Sequence, residues 1–111
     1  MDKHLPLGEF EQLVLLSIMR LKENAYGVSI REELRVCALR AVAPGALYTT
    51  LDRLERKGLV VSEAGPPTPE RGGRAKRFYT VTNLGQKHVA DAQRSFQRLL
   101  VGLDILGAQH G

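Results

Sequence analysis

Side-chain chemistry needs acids, bases, nucleophiles or metal ligands at workable spacing, and few of these 111 residues qualify. His4, His88 and His110 lie far apart, and none has a cysteine or carboxylate partner at metal-ligand spacing. Cys37 is the only cysteine, which excludes an internal disulfide and a multi-cysteine metal cage. Its plain reading is a small apolar side chain, buried or half-buried. Gly72, Gly73 and Arg74 have a superficial likeness to a phosphate loop but lack the following Lys-Ser or Lys-Thr and the helix start. No nucleophile motif occurs either. The expectation is a protein that is not an enzyme and has no cofactor and no metal.

What the chain does hold is localised positive charge. The formal charge of +4 is unevenly spread: residues 1–34 have four basic against six acidic side chains, and residues 35–77 have nine against four. The remainder is near neutral. Within the central block, Arg53, Arg56 and Lys57 form one cluster and Arg71, Arg74 and Lys76 another. A basic centre between near-neutral ends suits a polyanion-binding surface.

Hydrophobic periodicity supplies the scaffold for those cations. From about Gly8 to Lys22, Phe10, Leu13, Val14, Ser17, Ile18 and Leu21 recur at helical spacing with apolar residues between them, which predicts a largely buried helix. Glu9 and Glu11 in its first turn complement the helix dipole. Asn24 is the expected left-handed stop and Gly27 the expected sharp turn. A short second helix from near Tyr26 should carry Val28, Ile30, Leu34 and Cys37 inward, with Arg31, Glu32, Glu33 and Arg35 in water. Residues 38–43 read as a connection with room for a short strand. The third helix opens at Pro44, where a missing N–H does no harm, and ends before Gly58. At 100° per residue, Leu47, Leu51 and Leu54 share one face and Thr49, Asp52, Arg53 and Arg56 the other, with Tyr48, Thr50 and Lys57 on the flanks.

Leu59 to Ala64 and Arg77 to Thr82 alternate as strands do. The intervening GPPTPERGGR is too rich in proline and glycine for regular structure, so the pair reads as a hairpin wing with a basic tip. Thr82 offers an N-cap to a last helix whose apolar positions Val89, Ala92, Phe96, Leu99, Leu103 and Leu106 step by three and four. Helical from Thr82 to Leu106, it would extend roughly 37 Å at 1.5 Å per residue, too long for so small a domain to cover. Its apolar seam therefore needs a partner, most economically the same helix of a second copy. Gly102 and Gly107 weaken the far end, so fraying is expected beyond Leu103.

The expected fold is mostly α with a small β-hairpin: a winged helix-turn-helix DNA-binding domain over residues 1–81, then a C-terminal dimerisation helix over residues 82–111. A helix fits the major groove, where each base pair shows a distinct donor and acceptor pattern. Thr49, Thr50 and Arg53 lie in the half of the third helix that meets base edges. Arg56 and Lys57 lie further along, toward phosphates. Gly45 and Ala46 let the helix N-terminus approach a phosphate closely, and Tyr48 adds a hydroxyl. Arg71, Arg74 and Lys76 bring the wing to the backbone or minor groove. The expected partners are double-stranded DNA with a pseudo-palindromic operator, and a second copy of the chain. A winged-helix module for protein contacts is the alternative, sharing the fold and seam without needing a basic face; the central charge favours nucleic acid. RNA is disfavoured for want of an aromatic stacking platform. The longest apolar run, Leu13–Leu16, is too short to cross a bilayer, and no basic-then-apolar leader opens the chain, so a cytoplasmic location without membrane contact is expected.

The stretches PGALYTTLDRLERKGLV and ERGGRAKRFYTVTNLGQ, with LGEFEQLVLLSIMRL and AYGVSIREEL before them, resemble the PadR family of transcriptional regulators from about Leu7 to Leu103. The distinctive matches are Gly45, Leu47, Tyr48, Leu51, Leu54, Glu55, Gly58 and Leu59, then Gly73, Arg74, Lys76, Tyr79, Thr82 and Gly85. The resemblance implies a homodimeric, usually repressing regulator of the short form, of the kind that controls detoxification or efflux genes. It also implies a small-molecule effector held between the domain and the dimerisation helices. Where members often place a hydroxyl or acidic N-cap and a polar residue, this chain has Ala43 and Pro44. Losing the cap costs about 0.5–2 kcal/mol, offset in part by Pro44. The frequent His-Gly-Tyr of the second turn is Tyr26-Gly27-Val28, and the chain has no tryptophan to line a drug pocket, so no particular ligand is assigned.

Overall fold

Among the described residues the chain forms four α-helices and one hairpin: α1 (Glu9–Leu21), α2 (Gly27–Cys37), α3 (Pro44–Arg56), β1 (Val60–Pro67), β2 (Ala75–Val81) and α4 (Asn83–Leu100). A computed structural model describes residues 8–67 and 75–105. Arg71 and Arg74 of the expected wing tip, and Leu106 of the expected seam, lie outside the described residues.

α1 starts on a backbone cap, because the Glu11 carboxylate accepts the Gly8 N–H at 3.2 Å. It stops at Lys22, whose φ of 57° breaks the helix and leads into a single 3₁₀ turn over Lys22–Asn24. The left-handed stop is thus two residues earlier than the expected Asn24. Gly27 proves to be the first residue of α2, with no positive φ. A close neighbour occupies the space beside it instead: a Cβ there would lie 1.9 Å from the Tyr48 hydroxyl, so a side chain at this position would displace the phenol. Ile30 and Leu34 define the buried face of α2. Val28, about 200° round from Ile30, is exposed, as is Cys37 where the helix runs past the core; both were expected inward. Residues 38–43 form no strand.

α3 ends as glycine chemistry dictates. Gly58 takes φ 78°, its N–H reaching the Glu55 carbonyl at 3.0 Å while the Leu59 N–H reaches Leu54 at 2.9 Å, the paired bonds of a Schellman stop. β1 and β2 pair antiparallel with Val60 opposite Val81 and Ser62 opposite Tyr79. The register shifts between Ala64 and Pro67, and β1 continues through Gly65 and the prolines where no regular structure was expected. Proline is tolerated there because β1 is an edge strand that needs no donor on its outer side. Tyr79 N–H also bonds the Ala25 carbonyl at 2.8 Å, and Tyr26 bridges Phe78, which ties the hairpin to the start of α2.

One core results, built from Val14, Leu15 and Ile18 of α1, Ile30 and Leu34 of α2, Leu47, Leu51 and Leu54 of α3, and Leu59, Val60, Tyr79 and Val81 around the hairpin. α4 joins it at its N-terminal end. Thr82 caps the helix by accepting the Gly85 N–H at 3.0 Å and donates to the Gly58 carbonyl at 2.7 Å. Val89 is only 5% exposed, so this first residue of the expected seam packs into its own domain. Among the described residues, no helix is long and apolar enough to cross a membrane.

Candidate nucleic-acid interface

α3 presents two chemically distinct faces. Leu47, Thr50, Leu51 and Leu54 fall at i, i+3, i+4 and i+7 and are all buried. Thr50, expected at a base edge, is 5% exposed and faces the core. Its polarity argued for the outside, whereas its spacing from Leu47 and Leu54 put it inside. The opposite face carries Thr49, Asp52, Arg53 and Arg56 in water, with Arg56 ion-paired to Asp52 one turn back.

The N-terminus of α3 is open. Ala43 provides no side-chain cap, Pro44 occupies the first position, and Gly45 and Ala46 are exposed. A Cβ added at Gly45 would meet nothing within 4 Å, so the first turn can approach a flat or convex partner closely. Tyr48 stands at the flank, half exposed, with its phenol across Gly27. Beside this end, Arg31 donates to the Val42 carbonyl at 2.7 Å, and with Val28, Glu32, Arg35 and Ala43 it lines a cavity of about 340 Å³. Sequence reasoning had left Arg31 and Arg35 simply in water. Only the length of the 38–43 connection, short enough to fold back, hinted that α2 would lend basic groups to the start of α3.

The C-terminal end of α3 is different. Lys57 Nζ lies 3.0 and 3.3 Å from the two Glu11 carboxylate oxygens, and Arg53 approaches the same carboxylate at 3.9 Å. Lys57 is therefore paired with a carboxylate of another helix rather than presented freely. On the wing, Lys76 rests its ammonium 4.2 Å from the centre of the Tyr26 ring, which in turn lies against Phe78. The cation–π contact holds Lys76 near the start of α2.

Along α4, Ala92 is half-buried, while Phe96 and Leu99 are exposed. The helix ends at Leu100, where Val101 leaves helical geometry and Gly102 takes φ 86°. Leu103, expected on the helix, follows this break and is exposed together with Val101 and Ile105. The helix thus ends before Leu103, at Leu100. Eighteen helical residues make α4 about 27 Å long rather than 37 Å. At the surface, Arg20 holds the Glu33 carboxyl below the usual range, and the hydrogen bond to Glu33 pushes the Cys37 thiol up. A raised thiol is a poor nucleophile. Among the described residues, no group of three or more His, Cys, Asp or Glu could hold a metal.

Comparison with known proteins points the same way. The profile of the transcriptional regulator PadR-like family matches residues 15–91. The chain is 37% identical over 86 residues to transcriptional regulator Rv3488 of Mycobacterium tuberculosis, covering 78% of this chain and 74% of that one. Its fold is similar to the crystallographic structure of a PadR-like transcription factor from Bacteroides fragilis, with a TM-score of 0.69 at 26% identity and 86% of each chain covered. A PadR-like regulator from Bacillus cereus superimposes with the same TM-score at 20% identity, covering 87% of this chain and 89% of that one.

Proposed function

Because this chain belongs to the PadR-like family of transcriptional regulators, we propose that it is a homodimeric repressor that reads a pseudo-palindromic operator with α3. Family membership makes it a DNA-binding regulator and not an enzyme. In this reading residues 1–81 bind DNA and residues 82–111 dimerise, in the cytoplasm, with detoxification or efflux genes as targets. One observation carries it: α3 is anchored by a buried Leu47–Thr50–Leu51–Leu54 stripe while its uncapped N-terminus and its Thr49–Arg53–Arg56 face stand open.

Roles follow from position. Thr49 and Arg53 meet base edges in the major groove, and Arg56 exchanges its Asp52 partner for a phosphate. Gly45 and Ala46 offer uncapped backbone N–H groups to a phosphate, with Tyr48, Arg31 and Arg35 beside them. Lys76, with Arg71 and Arg74, brings the wing to the backbone. Ala92, Phe96 and Leu99 make the subunit contact, with Leu103 extending it beyond the helix. For an effector, a cavity of about 420 Å³ lies between the end of α1, β2 and the start of α4, lined by Ile18, Met19, Thr80, Val81 and Gln86.

The test is Arg53→Ala measured on an operator selected from genomic fragments and on random duplex at matched salt. Operator discrimination should fall by about 1–3 kcal/mol. Equal loss on both duplexes would make Arg53 a phosphate contact, and no loss on either would remove α3 from the interface.

A further inference from the structure

Glu11 is a carboxylate where an apolar side chain would be expected. It sits on α1 among buried residues, 8% exposed, yet belongs to no part of the DNA-reading face. Burying an ionised carboxylate is costly unless it is paired, so what pairs it is informative. Its oxygens accept the Gly8 N–H at 3.2 Å and lie 3.0 and 3.3 Å from Lys57 Nζ, with Arg53 at 3.9 Å. One carboxylate thus joins the first turn of α1 to the last turn of α3, across 46 residues of sequence. Arg53 belongs to α3 and Lys57 is its C-terminal cap, and among the described residues no other carboxylate comes within ion-pair distance of Lys57.

We propose that Glu11 is a positioning residue for DNA selectivity, which rests on the reading of α3 as the recognition helix. Its carboxylate neutralises Lys57 inside the protein and orients Arg53. Each cation placed on a phosphate adds sequence-independent affinity and about 0.9 to the logarithmic salt slope. Keeping Lys57 on Glu11 removes one such contact from every duplex, operator and random alike. Arg53, whose guanidinium Nη1 lies 3.9 Å from the same carboxylate, starts from a defined geometry and leaves that long contact to reach base edges. Because the withheld Lys57 contact is lost from operator and random duplex alike, it lowers affinity and salt slope without changing their ratio; selectivity comes from Arg53, whose starting geometry favours the operator alone.

The experiment measures binding of the full chain to operator and random duplex over a range of KCl concentrations, with circular dichroism to verify the fold. In Glu11→Gln the amide oxygen still accepts the Gly8 N–H, while Lys57 is freed. The salt slope on random duplex should steepen by about one, and random-duplex affinity at low salt should rise several-fold more than operator affinity. The double variant Glu11→Gln with Lys57→Gln should return to the wild-type slope. A Glu11→Gln slope equal to wild type overturns the proposal while leaving the DNA-binding reading intact. Wild-type protein that binds no duplex overturns both. If Glu11→Gln does not fold, Lys57→Gln alone decides: an unchanged slope supports the proposal, and one shallower by about one shows Lys57 already on a phosphate and refutes it.

Discussion

Replacing Phe96 by aspartate should separate the subunits without unfolding either. The ring is 59% exposed in the protomer, so its own domain gains little from it. Fully burying a phenylalanine is worth about 1.5–3 kcal/mol, and covering the exposed fraction therefore contributes about 0.9–1.8 kcal/mol per subunit. In a two-fold interface every contact occurs twice, which gives about 2–3.5 kcal/mol per dimer and roughly a 20- to 300-fold weaker dissociation constant. Two carboxylates brought into an apolar contact add a desolvation cost to that minimum. Sedimentation velocity over a concentration series reads the change, and far-UV circular dichroism should show helix content unaltered. A variant that dimerises with the wild-type constant would refute the assignment of this α4 face to the interface. Loss of helix would instead mean that the ring stabilises the protomer, contrary to its exposure.

Gly85→Ala tests how α4 docks. Alanine ordinarily stabilises a helix over glycine by about 1 kcal/mol, but a Cβ here would lie 2.3 Å from the Leu59 carbonyl oxygen and 2.7 Å from Val81. The backbone must give way, so urea denaturation should show a loss of about 1–3 kcal/mol; a gain would contradict the close packing of α4 on the β1 entrance. Tyr79 gives a pH dependence. Burial is the main cause that raises its phenol above the ordinary tyrosine range. The folded state then keeps a proton that the unfolded chain gives up, so this contribution is complete below the tyrosine range and declines as pH rises through about 10. Stability of the wild type should fall more steeply than that of Tyr79→Phe in alkaline titrations, and parallel curves would show that the phenol titrates as freely folded as unfolded.

Much of α3 could be read directly. Pro44 and Gly58 bracket it, and both act as their local chemistry requires, one at the first helical position and the other at φ 78°. The hairpin, the Thr82 cap and the family motif were equally visible, since each depends on residues within a few positions of one another. The errors were also systematic. Thr50 was assigned by polarity when its spacing from Leu47 and Leu54 placed it inside. Val28 and Cys37 were assigned inward by composition, although α2 offers the core only the Ile30–Leu34 stripe. Val89 was counted in an intersubunit seam because periodicity does not say which of two apolar surfaces a residue will meet.

Local order, then, was written in the chain itself: helix limits, strand alternation, charge placement and membership of a DNA-binding family. Tertiary structure alone decided that Glu11 meets Lys57, that the Tyr48 phenol lies across Gly27, and that α4 divides between its own core and an uncovered surface. The reason is physical. Periodicity and capping are set by neighbours within a turn or two, whereas burial and ion pairing depend on surfaces brought together from distant segments.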